Sequence, residues 1–172
     1  MKNSLGFTLV ELIIVIVLLG VLAATAIPRY IGAGDDAKVS TLEQLLTRIQ
    51  STVELNRGFA AVKKRLQGEQ VLILDEVGAY SFNMGYPQNK SEASTPNLYF
   101  FDLMTLTKGP RTILESNDNQ RIISFGELQL FENDNVSRLG YGSDELVDDN
   151  CYVEYQLTAA GEASFDMVIT GC

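Results

Sequence analysis

Hydrophobic positions along the chain fall into three regimes. From 7 to 27 the sequence is FTLVELIIVIVLLGVLAATAI, apolar at almost every position, with no polar face at a helical or strand period. As a helix, this stretch rises about 31 Å, close to the hydrocarbon thickness of a bilayer, so a membrane-spanning helix is predicted. Gly20, Ala23, Ala24 and Ala26 are small enough for neighbouring helices to approach closely, and Pro28 is expected to kink the helix at its end. Beyond Pro28 the pattern changes. Val39, Leu42, Leu45, Leu46, Ile49 and Val53 recur every three or four residues, which predicts an amphipathic helix over 28–58. Gly32 and Gly34 soften its entry, Asp35 or Asp36 can cap its restart, and Asn56 and Gly58 are the expected stop residues.

The third regime, 59–172, is punctuated by Gly78, by Gly85, Tyr86 and Pro87, by Pro96, by Gly109 and Pro110, and by glycines at 140 and 142. Ser94 or Thr95 ahead of Pro96 predicts a short helix over 98–106. Short β-rich runs follow at 121–125 and 128–131. Cys151, Val153, Tyr155 and Leu157 then alternate against Tyr152, Glu154 and Gln156, and Phe165, Met167 and Ile169 alternate likewise beyond Ala159, Ala160 and Gly161. These last two runs predict an antiparallel hairpin that packs one face on the long helix. The expected fold class is α+β: a long N-terminal helix over 7–58 and a globular head over 59–172 with a small antiparallel sheet.

Charge and composition narrow the function. The chain has 172 residues, enough for one ordinary domain, and its formal net charge is −9. That balance repels phosphate backbones, so nucleic acid is not an expected partner. There is no histidine, no Gly-rich phosphate loop and no Ser/His/Asp set, so the chain is not expected to be an enzyme or to need a cofactor. The two cysteines, Cys151 and Cys172, lack a paired metal spacing, which leaves a single disulfide or two free thiols. Their place after a membrane segment favours a disulfide in an oxidising compartment.

Two surface features carry weaker chemistry. Asp144, Glu145, Asp148, Asp149 and Asn150 form an acidic run whose oxygens could ligate calcium, with Asp144, Asp148 and Asp149 as the candidates. The run lacks the twelve-residue EF-hand spacing, and a solvated surface is the competing reading. Tyr80, Tyr86, Tyr99 and Tyr141 could stack on sugars in loops, although packing against the protein itself is the commoner use of such residues.

The carboxylate of Glu11 is the odd residue of the apolar stretch. A cleaved secretory signal would use Ala24, Thr25 and Ala26 as its cut site, but its basic region would be Lys2 alone and its apolar run is overlong. A plain signal anchor tolerates a charge near its end without explaining it. A third reading couples Gly6 to Glu11. Cleavage after Gly6 would expose an amine on Phe7, one helical turn from Glu11, and in a bundle the amine of one copy could pair with the carboxylate of the next. Buried, such a pair would set axial register, because an unpaired charge would reject the site.

Lys2, Gly6, the run Phe7, Thr8, Leu9, Val10, Glu11, Leu12, and the Pro28 that closes the apolar stretch together resemble the N-terminus of type IV prepilins and pseudopilins. The resemblance covers about thirty residues. It implies removal of a leader, 1–6, by a prepilin peptidase, N-methylation of Phe7, and use of Glu11 with the Phe7 amine in assembly. It also implies a type IV pilin fold whose C-terminal region is bounded by a Cys151–Cys172 disulfide. The implied life history begins in the inner membrane with a cytoplasmic N-terminus and ends in an extracellular helical homopolymer. Implied partners are minor pilins, an inner-membrane assembly platform, assembly ATPases and an outer-membrane secretin. Related pseudopilins bind calcium near their C-termini, which bears on the acidic run.

Scattered features elsewhere, namely Gly85, Tyr86 and Pro87, the run Cys151, Tyr152, Val153, Glu154, Tyr155, and Thr170, Gly171 and Cys172, are similar to the mannose-sensitive haemagglutinin (MSHA) pilins. That likeness implies a role in adhesion or biofilm attachment, with surface glycans as possible ligands. A pseudopilin of a type II secretion system is the alternative. A membrane-anchored periplasmic hydrolase or lectin is the reading from a different class.

Overall fold

The computed structural model of the chain describes residues 8–74, 78–91, 98–105, 111–117, 119–143 and 145–172, with the side chains of 25–32 and 105 outside the description. The chain divides into two compact units, Met1–Ala37 and Lys38–Cys172. A helix, α1 (Leu9–Val62), supplies the described part of the first unit and enters the second. It continues through Pro28, Gly32 and Gly34, so there is no restart for Asp35 or Asp36 to cap. A proline removes one helical N–H, and the helix carries on beyond it here. The side chain of Pro28 falls outside the description, and the expected kink with it.

The predicted end of the helix at 58 is corrected to Val62. Asn56 stays helical and buried, its amide donating to the Thr52 carbonyl at 2.9 Å, and Gly58 is tolerated within the helix. The stop lies further on, where Lys64 takes a left-handed conformation (φ 56°). Arg65 N donates to Ala60 O at 2.8 Å and Lys64 N to Ala61 O at 3.0 Å. These two bonds form a Schellman cap, which satisfies carbonyls that the helix end would otherwise leave open. Lysine occupies the position where glycine is usual, so the sequence carries no stop signal there.

In the second unit the predicted helix face is observed. Leu42, Ile49 and Val53 are buried, Ala60 extends the row, and Leu45 and Leu46 are half-buried against the same cluster. Among the described residues two antiparallel sheets complete the unit, where one small sheet was expected. The first has β1 (Glu69–Leu74), β2 (Gly78–Asn83) and β3 (Tyr86–Pro87) in the order β1-β2-β3. In β1, Leu72 and Leu74 are buried while Val71 and Ile73 are exposed, so both faces are apolar and the period-two signal is hidden. The short helix forms as α2 (Phe100–Thr105); its expected start at Ser94, Thr95 and Pro96, and Leu106 at its end, lie outside the described residues.

The second sheet is a six-stranded meander of β4 (Thr112–Ser116), β5 (Gln120–Phe125), β6 (Leu128–Asn133), β7 (Ser137–Gly140), β8 (Tyr152–Leu157) and β9 (Ala163–Val168). The predicted hairpin is β8 with β9, in register Tyr155 with Phe165. Cys151, Val153, Tyr155 and Leu157 are buried as their alternation requires, whereas Ile169 lies past the end of β9 and is exposed. Tyr155 stacks on Phe100 of α2 at 4.7 Å and donates its hydroxyl to the Pro87 carbonyl at 2.7 Å. One side chain thus ties α2, the small sheet and the large sheet together. Burial pushes the hydroxyls of Tyr80 and Tyr155 well up from the usual tyrosine range, so both remain donors.

Candidate assembly site at the start of the long helix

The first described residue, Thr8, is the N-cap of α1. Its Oγ1 accepts the Glu11 N–H at 3.3 Å, and Glu11 Oε2 accepts the Thr8 N–H at 3.0 Å and the Thr8 hydroxyl at 2.9 Å. This reciprocal arrangement is a capping box, and it satisfies two of the N–H groups that a helix start leaves open. Its sequence signal, threonine three residues before glutamate, is present but is masked by the conspicuous charge. Gly6 and Phe7 lie outside the described residues, so the amine and the cleavage point expected beside Glu11 are not placed.

Around Glu11 the helix is apolar on every side. Its twelve large aliphatic residues between 9 and 22 are exposed by 45% at Val15 to 73% at Leu9. A helix without a polar face lacks the amphipathic stripe of a surface helix; its stable surroundings are lipid or other apolar helices. Among the described residues no helix is long and apolar enough to cross a membrane. The segment expected to do so, 7–27, reaches past the described side chains at both ends.

At the other end of the chain the expected disulfide is present. Cys151 and Cys172 are joined, with their Cα atoms 4.8 Å apart. Lys38 Nζ donates to the Cys172 carbonyl at 3.1 Å, and Gly171 N donates to Asn150 O at 3.0 Å. A Cβ on Gly171 would stand 1.8 Å from the Asp149 carbonyl oxygen, so only glycine permits this approach. The tail is therefore fastened to the segment before β8 and to Lys38 of α1.

Among the described residues the other candidates are not brought together. The Asp149 carboxylate turns onto its own loop and accepts the Ser143 N–H at 2.8 Å, and Asp144 lies outside the described residues. Among the described residues no group of three or more His, Cys, Asp or Glu side chains could hold a metal ion. Tyr80 and Tyr99 are buried, and Tyr86 and Tyr141 are half-buried beneath the cations of Arg57 and Lys38. A polar cleft of about 430 Å³ opens among Glu69, Asn83, Gln88, Lys90, Asp134 and Gln156. Its polar groups bond to one another, Lys90 to Asp134 at 2.9 Å and Gln88 to Glu69 at 3.4 Å, and nothing in it resembles a nucleophile with its base.

Comparison with known proteins bears on the helix start. Residues 1–27 match the family model of the prokaryotic N-terminal methylation motif. Over 111 residues, 62% of this chain and 90% of the relative, the chain is 29% identical to the type IV narrow pilus major component PilA5 of Thermus thermophilus. Over 54 residues, 31% of this chain and 38% of the relative, it is 36% identical to type II secretion system core protein G of Pseudomonas aeruginosa. No solved structure matches the chain.

Proposed function

We propose that this chain, which carries the N-terminal methylation motif of type IV prepilins and is homologous to both a type IV pilus component and a type II secretion core protein, is a structural subunit of an MSHA-like type IV pilus. The observation that carries the reading is the first part of α1, Leu9 to Leu22, a stretch apolar on every face that keeps one carboxylate, Glu11. Such a helix needs lipid before assembly and other helices afterwards. It leaves the bilayer because neighbouring copies offer an equivalent apolar environment.

In this reading a prepilin peptidase cuts after Gly6, Phe7 is methylated, and 7–27 holds the subunit in the inner membrane with its N-terminus in the cytoplasm. The assembly platform and ATPases then draw it into a helical homopolymer that passes an outer-membrane secretin. Repeated heterologous contacts that do not close generate such fibres. Glu11 pairs there with the Phe7 amine of a neighbouring copy, exchanging its capping partner for a charged one. The Cys151–Cys172 bond suits a subunit that ends outside the cell, where adhesion and biofilm attachment would be its work. The similarity to core protein G supports the second reading, a type II secretion pseudopilin.

Mass spectrometry of the mature protein from its own cell tests the proposal. The expected N-terminus is methylated Phe7; a protein beginning at Met1, or beyond Ala26, overturns it. Glu11→Ala is expected to be inserted and processed yet to give few or no filaments. Shearing of the cell surface then separates the two readings, since a pilus is released into the sheared fraction and a pseudopilus at native levels stays with the cell.

A further inference from the structure

Around the start of α2 the head gathers four charged side chains, the buried carboxylates of Asp102 and Glu132 and the half-buried guanidiniums of Arg111 and Arg121. Glu132, on β6, is fully buried and stands in register between Arg121 of β5 and Ser137 of β7. Its Oε1 accepts the N–H of Phe100, the first residue of α2. Its Oε2 lies 3.9 Å from Arg121 Nη1, and neither of these atoms has a hydrogen-bond partner among the described residues. The same guanidinium donates through Nη2 to the Ser91 carbonyl at 2.8 Å. Around them stand Asp102 of α2, joined to Arg111 at 2.5 Å, and Tyr99, whose ring lies 4.3 Å from the Arg111 guanidinium and 5.6 Å from that of Arg121. Tyr80 of β2 also faces the cluster.

Ser91 is where the segment after β3 meets both sheets. Its Oγ accepts the Ser81 N–H of β2 at 3.1 Å, and its carbonyl is the acceptor for Arg121 of β5. Arg121 therefore stands between two acceptors, one bonded and one about an ångström too far. We propose that Arg121 is a proton-linked latch: with Glu132 neutral it holds the Ser91 carbonyl, and when Glu132 loses its proton to solvent it turns to the carboxylate and releases Ser91. The two contacts use different nitrogens of one rigid fork: drawing Nη1 about an ångström towards a carboxylate, where both partners are ionised and not the donor alone, pulls Nη2 off the Ser91 carbonyl.

The proton balance supports this geometry. Burial pushes the Glu132 carboxyl up to about 8, with Asp102 adding to the rise, while the Phe100 N–H, Arg121 and Arg111 oppose it. The latch thus works at mildly alkaline pH, and it loosens the join between the small and large sheets at residue 91. It goes beyond the filament reading and does not depend on it: its outcome is the same for a pilus and a pseudopilus subunit.

Carbon-13 and nitrogen-15 NMR of the full chain in detergent micelles, titrated from pH 5 to pH 9.5, tests the latch. The Glu132 carboxyl, identified by its loss in Glu132→Gln, is expected to titrate with a midpoint near 8. The Arg121 side-chain nitrogens and the Ser91 carbonyl are expected to shift with the same midpoint, and to stay still in Glu132→Gln. Ionisation of Glu132 complete below pH 6, or a titrating Glu132 beside unmoved Arg121 and Ser91 signals, overturns the proposal. Should Glu132→Gln fail to fold, the three wild-type signals decide by themselves.

Discussion

Thr8 and Glu11 complete each other's hydrogen bonds across the first turn of α1, the hydroxyl taking the Glu11 N–H at 3.3 Å and the carboxylate taking the Thr8 N–H at 3.0 Å. The carboxylate therefore has a local task before any partner arrives, and the two tasks can be separated. Glutamine keeps an oxygen for the Thr8 N–H, since a capping box accepts either Glu or Gln, but it brings no charge. Glu11→Gln is expected to insert and to be processed normally while losing filaments as fully as Glu11→Ala. Immunoblots of sheared and cell-bound fractions check this, and wild-type filament yield from Glu11→Gln would assign the residue to capping alone.

Lys64 closes α1 in a conformation that glycine adopts freely and lysine does not. Its side chain is exposed, so replacing it removes strain at little cost in packing. Lys64→Gly is expected to stabilise the head by about 0.5–1 kcal/mol, seen as a higher melting temperature of the full chain in detergent. A lower melting temperature would show that the lysine side chain contributes more than its backbone costs.

The same residue shows where the sequence stops being legible. The face of α1 at Leu42, Ile49 and Val53 is plain because its opposite face is polar, and the β8–β9 hairpin is plain because polar and apolar residues alternate. Where that contrast fails, so does prediction: β1 is apolar on both faces, and β4 carries Ile113 and Leu114 side by side, both exposed. The end of α1 is hidden because a lysine does a glycine's work. At the candidate site, Glu11 is conspicuous as a charge, while its bonds to Thr8 are short-range geometry that a search for charge alone passes over. The charged set of Asp102, Arg111, Arg121 and Glu132 is illegible for another reason: its members come from α2, the segment before β4, and two strands, and only the fold brings them together.

Cys172 fastens the tail to Cys151 and presents its carbonyl to Lys38. Closing a loop with a sequence separation of 21 stabilises the fold by about 3 kcal/mol in the chain-entropy model. Cys172→Ser, or reduction of the wild type, is expected to lower stability by about that amount, measured by denaturant unfolding followed through tyrosine fluorescence. An unchanged midpoint would mean that the Gly171 and Lys38 contacts hold the tail without the bond.

Glu132 makes the stability of the head depend on pH in a direction opposite to that of most acidic residues. An ordinary glutamate in a fold is held charged, and its contribution is lost as acid is added. Here the folded carboxyl titrates near 8, against 4.5 for a glutamate in water. Between those values the folded chain keeps a proton that the unfolded chain has released, so this group's contribution is complete below 4.5, falls as pH rises, and is gone above 8. Its span is on the order of a few kcal/mol, since each tenfold change in proton affinity is worth about 1.4 kcal/mol and residual burial in the unfolded chain trims the total. Glu132→Gln, neutral at every pH, removes the dependence. Denaturant unfolding at pH 5 and at pH 8.5 is expected to find the variant close to wild type at the lower pH and more stable at the higher. A stability difference that stays constant across the two conditions would mean that Glu132 is charged in the fold throughout, held by Arg121 and Arg111 against the cost of burial.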